Sequence, residues 1–180
     1  RVDVNGLIEK GRENVLLQSN SFTSGNWFNQ NVTIASGQAG YDGGSDAWLL
    51  STTNVAASEC RVRQDSMPIV TGVQSFSVYA KAGTLNVAYL QIVEGSNNLY
   101  FLINLDNGTT NYIIGQGNAP ISVASKDIGG GWYRLTGTWN SSSSTASVRV
   151  GITNSLTNPY LTSSGGENIY IQDAQLEQGL

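Results

Sequence analysis

Five side chains of suitable type recur at positions where alternation points them away from a core: Tyr79 and Lys81, Tyr89 and Gln91, and Arg134. Flat aromatic faces cover apolar C–H surface, while planar amides, guanidinium and ammonium groups hydrogen-bond to hydroxyls. That combination suits holding a polyhydroxylated ring rather than breaking one. The alternative for each tyrosine is a sheet face packed by a loop or a neighbouring domain. Trp48, in Asp46-Ala47-Trp48-Leu49-Leu50, joins the set if Ala47 and Leu49 point inward, because it then points out. Packing against the N-terminal segment is the other reading. Trp27 reads as a plug for one end of the domain. Trp132, after Gly129-Gly130-Gly131, reads as a structural anchor.

The missing residue types exclude other chemistries. The chain has no histidine, so His-based triads, His metal sites and His acid–base catalysis are absent. Its one cysteine, Cys60, excludes an internal disulfide and has no histidine to activate it, so a structural thiol is expected. Glycoside hydrolysis needs two carboxylates held across a cleft. The thirteen acidic residues show no such motif, and Glu59, Asp65, Glu94 and Glu167 read as solubilising charges at strand ends. A net charge of −4 with nine scattered Lys and Arg leaves no nucleic-acid footprint. No apolar run approaches the ~20 residues of a membrane-spanning helix.

The elements that position these residues are strands. Ser, Thr, Asn and Gln supply 63 of 180 residues and charged residues only 12%, and no segment sustains a 3.6-residue apolar period. Strand-like segments alternate with turn signals: 14–18, 31–36, 46–51, 60–64, 73–82, 86–94, 99–105, 111–114, 121–126, 132–139, 146–153 and 168–176. Asp106-Asn107-Gly108 marks a hairpin. Alternation places Phe76, Val78 and Ala80 inward and Ser75, Ser77, Tyr79 and Lys81 outward. It likewise buries Ala88, Leu90 and Ile92, leaving Tyr89 and Gln91 outside, and places Tyr133, Leu135 and Trp139 inward of Trp132 and Arg134. So many close strands predict an all-β fold, a two-sheet antiparallel sandwich or a barrel. Residues 1–13 read as a polar arm or linker and 14–180 as the domain. The chain reads as cut from a longer protein.

Several segments carry a resemblance. They are Asn14-Val15-Leu16-Leu17-Gln18-Ser19-Asn20-Ser21-Phe22 with Trp27, Phe76-Ser77-Val78-Tyr79-Ala80-Lys81-Ala82-Gly83, Gly131-Trp132-Tyr133-Arg134, and Ile169-Tyr170-Ile171-Gln172-Asp173-Ala174-Gln175-Leu176-Glu177. With Gly6-Leu7-Ile8-Glu9 upstream and Tyr41-Asp42-Gly43 between, their order resembles the carbohydrate-binding-module-like jelly rolls of bacteriophage tail-fibre and other virion proteins, marine phages especially. The resemblance implies a jelly roll, no catalysis, a place in the virion acting outside the cell, and a surface polysaccharide or oligosaccharide as partner beside neighbouring virion domains. It also implies a structural calcium between the first loop and the last strand, for which Asp173 matches the last-strand acid. The family's first loop often has Glu after the Phe. Here Thr23 follows Phe22, so Asp46 or Asp42 would have to supply that carboxylate. Two rival readings stand: a ligand-free spacer or assembly domain of a virion protein, and an accessory module of a polysaccharide-degrading enzyme.

Overall fold

The computed structural model describes residues 14–178, and the expected arm, 1–13, lies outside them. Fourteen strands follow in order among the described residues: β1 (Phe28–Gln30), β2 (Val32–Gln38), β3 (Ala47–Thr52), β4 (Val55–Ser58), β5 (Cys60–Pro68), β6 (Gly72–Ala82), β7 (Val87–Glu94), β8 (Asn97–Asn104), β9 (Thr110–Gln116), β10 (Ser122–Gly129), β11 (Trp132–Ser141), β12 (Thr145–Thr153), β13 (Leu161–Ser163) and β14 (Asn168–Gln178). None of the described residues is helical. The fold is the expected all-β sandwich of jelly-roll type. One six-stranded sheet runs β1-β5-β12-β7-β8-β9, the other β10-β11-β6-β14-β3-β2, and β13 pairs β4 at the side. Every pairing is antiparallel.

The core lies between the two sheets. Phe76, Val78 and Ala80 from β6 and Leu135 and Trp139 from β11 meet Ala88, Leu90 and Ile92 from β7 and Phe101 from β8. Shape complementarity is tight where Phe101 lies against Gly137: a methyl group on Gly137 would overlap the ring. Fully burying a side chain of this size stabilises by about 1.5–3 kcal/mol, so each inward position of these strands contributes.

The strands predicted over 73–82, 86–94 and 132–139 form with the expected faces. The hairpin at Asp106-Asn107-Gly108 joins β8 to β9, with Gly108 at φ 74°. The segment 14–18 departs from expectation: only Asn14 bridges Glu177, and the backbone turns at 17–20. A larger departure concerns β6 and β7. They are consecutive and joined by a short link, yet β6 pairs β11 and β14 while β7 pairs β12 and β8. The link therefore crosses between sheets, and the outward faces of β6 and β7 lie on opposite sides of the molecule.

The expected solubilising role fails for three carboxylates. Glu94 is buried and accepts hydrogen bonds from Trp139 Nε1 and, at 2.5 Å, Ser141 Oγ. Glu59 pairs with Arg61 and accepts from the Tyr100 hydroxyl at 2.7 Å. Glu167 accepts from Thr52 at 2.8 Å and from Ser163. Glu94, removed from water, needs donors, and β11 supplies them. Cys60 is fully buried, as expected of a structural thiol.

Candidate functional site

The crossover divides the predicted ligand residues. Tyr79, Lys81 and Arg134 share the outer face of the β6-containing sheet, where Arg134 faces Tyr79 and Trp132 faces Lys81 across β11 and β6. Tyr89 and Gln91 lie on the outer face of the other sheet and cannot join them. Tyr89 is fully buried, its ring over Gly151, whose missing side chain makes the room, and its hydroxyl donates to Cys60 O at 3.5 Å. Tyr100, Leu102, Ile113 and Leu156 pack around it. Gln91 is buried too, accepting from Arg61 Nη1 at 2.5 Å and donating to Asn98 Oδ1 at 2.9 Å. The expectation that these two residues present an open platform is therefore corrected. Trp48 is corrected as well: it is 9% exposed, packs edge-on against Phe22 at 6.1 Å and donates its indole N–H to Asn20 O. Trp48 and Leu50 belong to the inter-sheet core while Leu49 is only half-buried, so the alternation of β3 runs in the opposite phase and points the indole inward. Trp27 is buried, its indole N–H donating to Gln18 O at 3.1 Å.

On the first face, Tyr79 is not bare. Tyr41, from the loop between β2 and β3, stacks on it with centroids 3.9 Å apart and planes at 16°. The Arg134 guanidinium lies over the same ring at 5.5 Å. Arg134 also donates to Ser77 Oγ at 3.0 Å and Gln175 Oε1 at 2.9 Å. Tyr79 and Arg134 thus serve to seat the loop. The loop is held at three more points: Tyr41 N–H donates to Gln172 Oε1 at 3.1 Å, Tyr41 O–H to Asp173 Oδ2 at 2.9 Å, and the ring meets Trp132 edge-on at 6.3 Å. Burial, followed by the bond to the Asp173 carboxylate, raises the Tyr41 phenol well above its ordinary value.

The seated loop bounds an open depression of about 420 Å³ between Tyr41, Trp132, Lys81 and the Gly129–Gly130 turn. A second hollow of about 220 Å³ adjoins it, between Lys81, Gln38 and Tyr170. Lys81 borders both and has no hydrogen-bond or ion-pair partner among the described residues. The rim glycines are required by the backbone: Gly129, Gly130 and Gly131 have φ 92°, 62° and 80°, which side-chain-bearing residues rarely adopt. The wall offers aromatic surface, a free ammonium and backbone, but no carboxylate among its described residues. Tyr41 was missed as a site residue because a turn sequence does not reveal that its loop folds back over a sheet.

Of the expected metal ligands, Asp42 and Asp46 converge with Gln172 at the base of this loop, and Asp173 follows Gln172 in β14. β14 bulges between Gln172 and Gln175, and Asp173 takes φ 48° there. Aspartate tolerates this conformation better than most residues. Asn20 Oδ1 accepts from Asp173 N at 3.2 Å. A methyl group on Gly40 would meet Gln172 Oε1 at 2.6 Å, Asp42 Oδ1 at 2.8 Å and Asp46 Oδ1 at 3.0 Å. These oxygens already accept N–H donors: Asp46 Oδ1 from Gln172 Nε2 at 2.9 Å, Asp42 Oδ1 from Gly44 N at 3.0 Å and Gln172 Oε1 from Tyr41 N at 3.1 Å; Asp46 Oδ2 accepts from Asn20 Nδ2 at 3.2 Å. Burial raises the Asp173 carboxyl above its ordinary value; the Tyr41 hydrogen bond opposes this and the charges of Asp46 and Asp42 add to it. No group of three His, Cys, Asp or Glu side chains placed to hold a metal ion occurs among the described residues. The fold instead gathers mixed carboxylate and amide oxygens, hard ligands of the kind calcium takes.

No family model matches the chain, and no curated protein matches its sequence. Solved structures are similar in outline. A CBM22-1–GH10 fragment of the Clostridium thermocellum xylanase 10B, complexed with xylohexaose, aligns over 94% of this chain and 28% of its own, at 10% identity and TM-score 0.48. The bacteriophage CBA120 tailspike protein 4 enzymatically active domain aligns over 91% of this chain and 21% of its own, at 15% identity and TM-score 0.48. TmCBM61, complexed with β-1,4-galactotriose, aligns over 91% of this chain and 97% of its own, at 12% identity and TM-score 0.44. The chain therefore spans under a third of the xylanase and tailspike chains.

Proposed function

We propose that this domain binds a saccharide without processing it, in the depression beneath the Tyr41 loop. The observation that carries the reading is the Lys81 ammonium, without a hydrogen-bond or ion-pair partner among the described residues, at the junction of two hollows walled by Tyr41, Trp132 and Tyr170. Aromatic rings cover sugar C–H surface, and an ammonium with three donors reaches hydroxyl or acidic oxygens. A carboxylate-free wall supports binding over hydrolysis. The order of the sequence motifs supports a place in a longer phage tail or virion protein that recognises polysaccharide at a cell surface, outside the cell. Calcium belongs to the same proposal. Asp46 and Asp173, helped by Asp42 and Gln172 Oε1, would hold it, tying the loop to β14.

The test is an array of neutral and acidic oligosaccharides, followed by calorimetry on any hit. Lys81→Ala is expected to weaken binding about tenfold, the usual worth of a charge-assisted hydrogen bond. If the array gives no binder, or Lys81→Ala and Tyr170→Ala both bind as tightly as the wild type, the depression is not the site and the ligand-free spacer reading takes its place.

A further inference from the structure

The opposite sheet carries a row of side chains in register across five strands: Phe28, Arg63, Arg149, Gln91 and Tyr100, on β1, β5, β12, β7 and β8. Arg61 lies one row away on β5. Three of the nine cations of this acidic chain therefore share one sheet face.

Two of the three are neutralised. Arg61 pairs with Glu59 at 2.5 Å and donates to Gln91 and Gln30. Arg63 pairs with Asp65 at 2.6 Å, and its guanidinium lies 5.9 Å from the centroid of the Phe28 ring. Arg149, between Arg63 and Gln91, has no ion-pair or hydrogen-bond partner among the described residues, and its Nε is buried without an acceptor. Burial, with the charge of Arg61 next, weakens its hold on the proton, and Glu59 and Asp65 offset this only in part. A guanidinium taken partly out of water without an acceptor costs stability and returns nothing to the folded state. An arriving anion would return that cost.

Phe28 supplies the second half of a site. It is 52% exposed on the edge strand, on the same face as Arg63. Arg149 is two strand spacings away, about 10 Å, a span that a disaccharide bridges. A half-exposed ring in one row with a forked cation suits a sugar face on one side and a carboxylate or sulfate on the other. Neighbouring Gln91 and Tyr100 are already committed to partners, so Arg149 carries the recognition.

We propose that the Phe28–Arg63–Arg149 row is a second binding site, on the face opposite the Lys81 depression, for an anionic saccharide unit whose carboxylate or sulfate engages the Arg149 guanidinium.

The test uses the full chain and three tetrasaccharides of matched length: galacturonate, sulfated galactose and neutral galactose. Calorimetry at low and at physiological salt is run on the wild type, Arg149→Gln, Arg149→Lys, Phe28→Ala and Lys81→Ala. At least one acidic tetramer is expected to bind the wild type about tenfold or more tighter than the neutral one, and more weakly as salt rises. The galacturonate and sulfated arms separate carboxylate from sulfate. Arg149→Gln is expected to lose about tenfold or more of that affinity without lowering the melting temperature, with Arg149→Lys recovering only part. Loss of acidic binding in Lys81→Ala with retention in Arg149→Gln would place the ligand on the other face and overturn the proposal. So would equal binding of acidic and neutral tetramers, or no binding of either acidic one.

Discussion

Tyr79 contributes through the loop it seats, and that can be measured. Its ring stacks on Tyr41 at 3.9 Å and carries the Arg134 guanidinium at 5.5 Å. The stack is worth about 0.5–1.5 kcal/mol beyond burial, and a cation–π contact of this exposure about 0.5–1 kcal/mol. Tyr79→Ala should therefore cost about 2 kcal/mol, a fall of roughly 4–8 °C in Tm for a chain of this size. Tyr41→Ala should cost a similar amount, because it loses the same stack and the hydrogen bond to Asp173. The double variant should cost less than the two together by about 1 kcal/mol, since the stack can be lost only once. Urea denaturation of the four proteins gives the cycle, and Tyr41→Phe separates ring from hydroxyl. Saccharide affinity should fall in Tyr79→Ala although Tyr79 does not border the depression. Additivity within about 0.3 kcal/mol, or binding unchanged in Tyr79→Ala, would refute the view that Tyr79 acts through the loop.

Gly151→Ala should destabilise by about 1–3 kcal/mol, because the added methyl enters the Tyr89 ring. Gly25→Ala, where no atom lies within 4 Å, should change Tm little, and a thermal melt compares the two. Chelator should lower Tm, and Asp173→Asn should abolish that response; identical melts with calcium and with chelator would end the calcium proposal. Burial pushes the Cys60 thiol from an ordinary 9.0 up to about 11, with the Glu167 charge adding, and burial raises the Tyr89 and Tyr100 phenols too. The protonated forms are thus favoured by folding. The stability they contribute is present in full below about pH 9 and is lost as pH rises through the folded values. Urea midpoints from pH 7 to 11 should fall above pH 9, and less steeply in Cys60→Ala.

Strand periodicity alone determined the all-β class, most strand positions and which side chains of β6, β7 and β11 face the core. A period of two is a local property of a pleated chain, and a wrong choice would bury the polar set and expose the apolar one. It could not say which sheet a strand joins. Tyr79 and Tyr89 obey the same rule and lie on opposite sides of the sandwich because the link between β6 and β7 crosses from one sheet to the other. An outward position was also not an open one: Tyr89 is sealed over Gly151, and Tyr79 lies under Tyr41. The short strands β1, β4 and β13 were illegible because three or four residues carry too little pattern. Only the tertiary structure brought Tyr41 onto Tyr79, gathered Asp42, Asp46 and Gln172 around Gly40, and set Arg149, without an acceptor among the described residues, beside the two neutralised arginines of β5. Each of these depends on contacts between residues far apart in the chain, set by strand register and loop closure, which no local window of sequence contains.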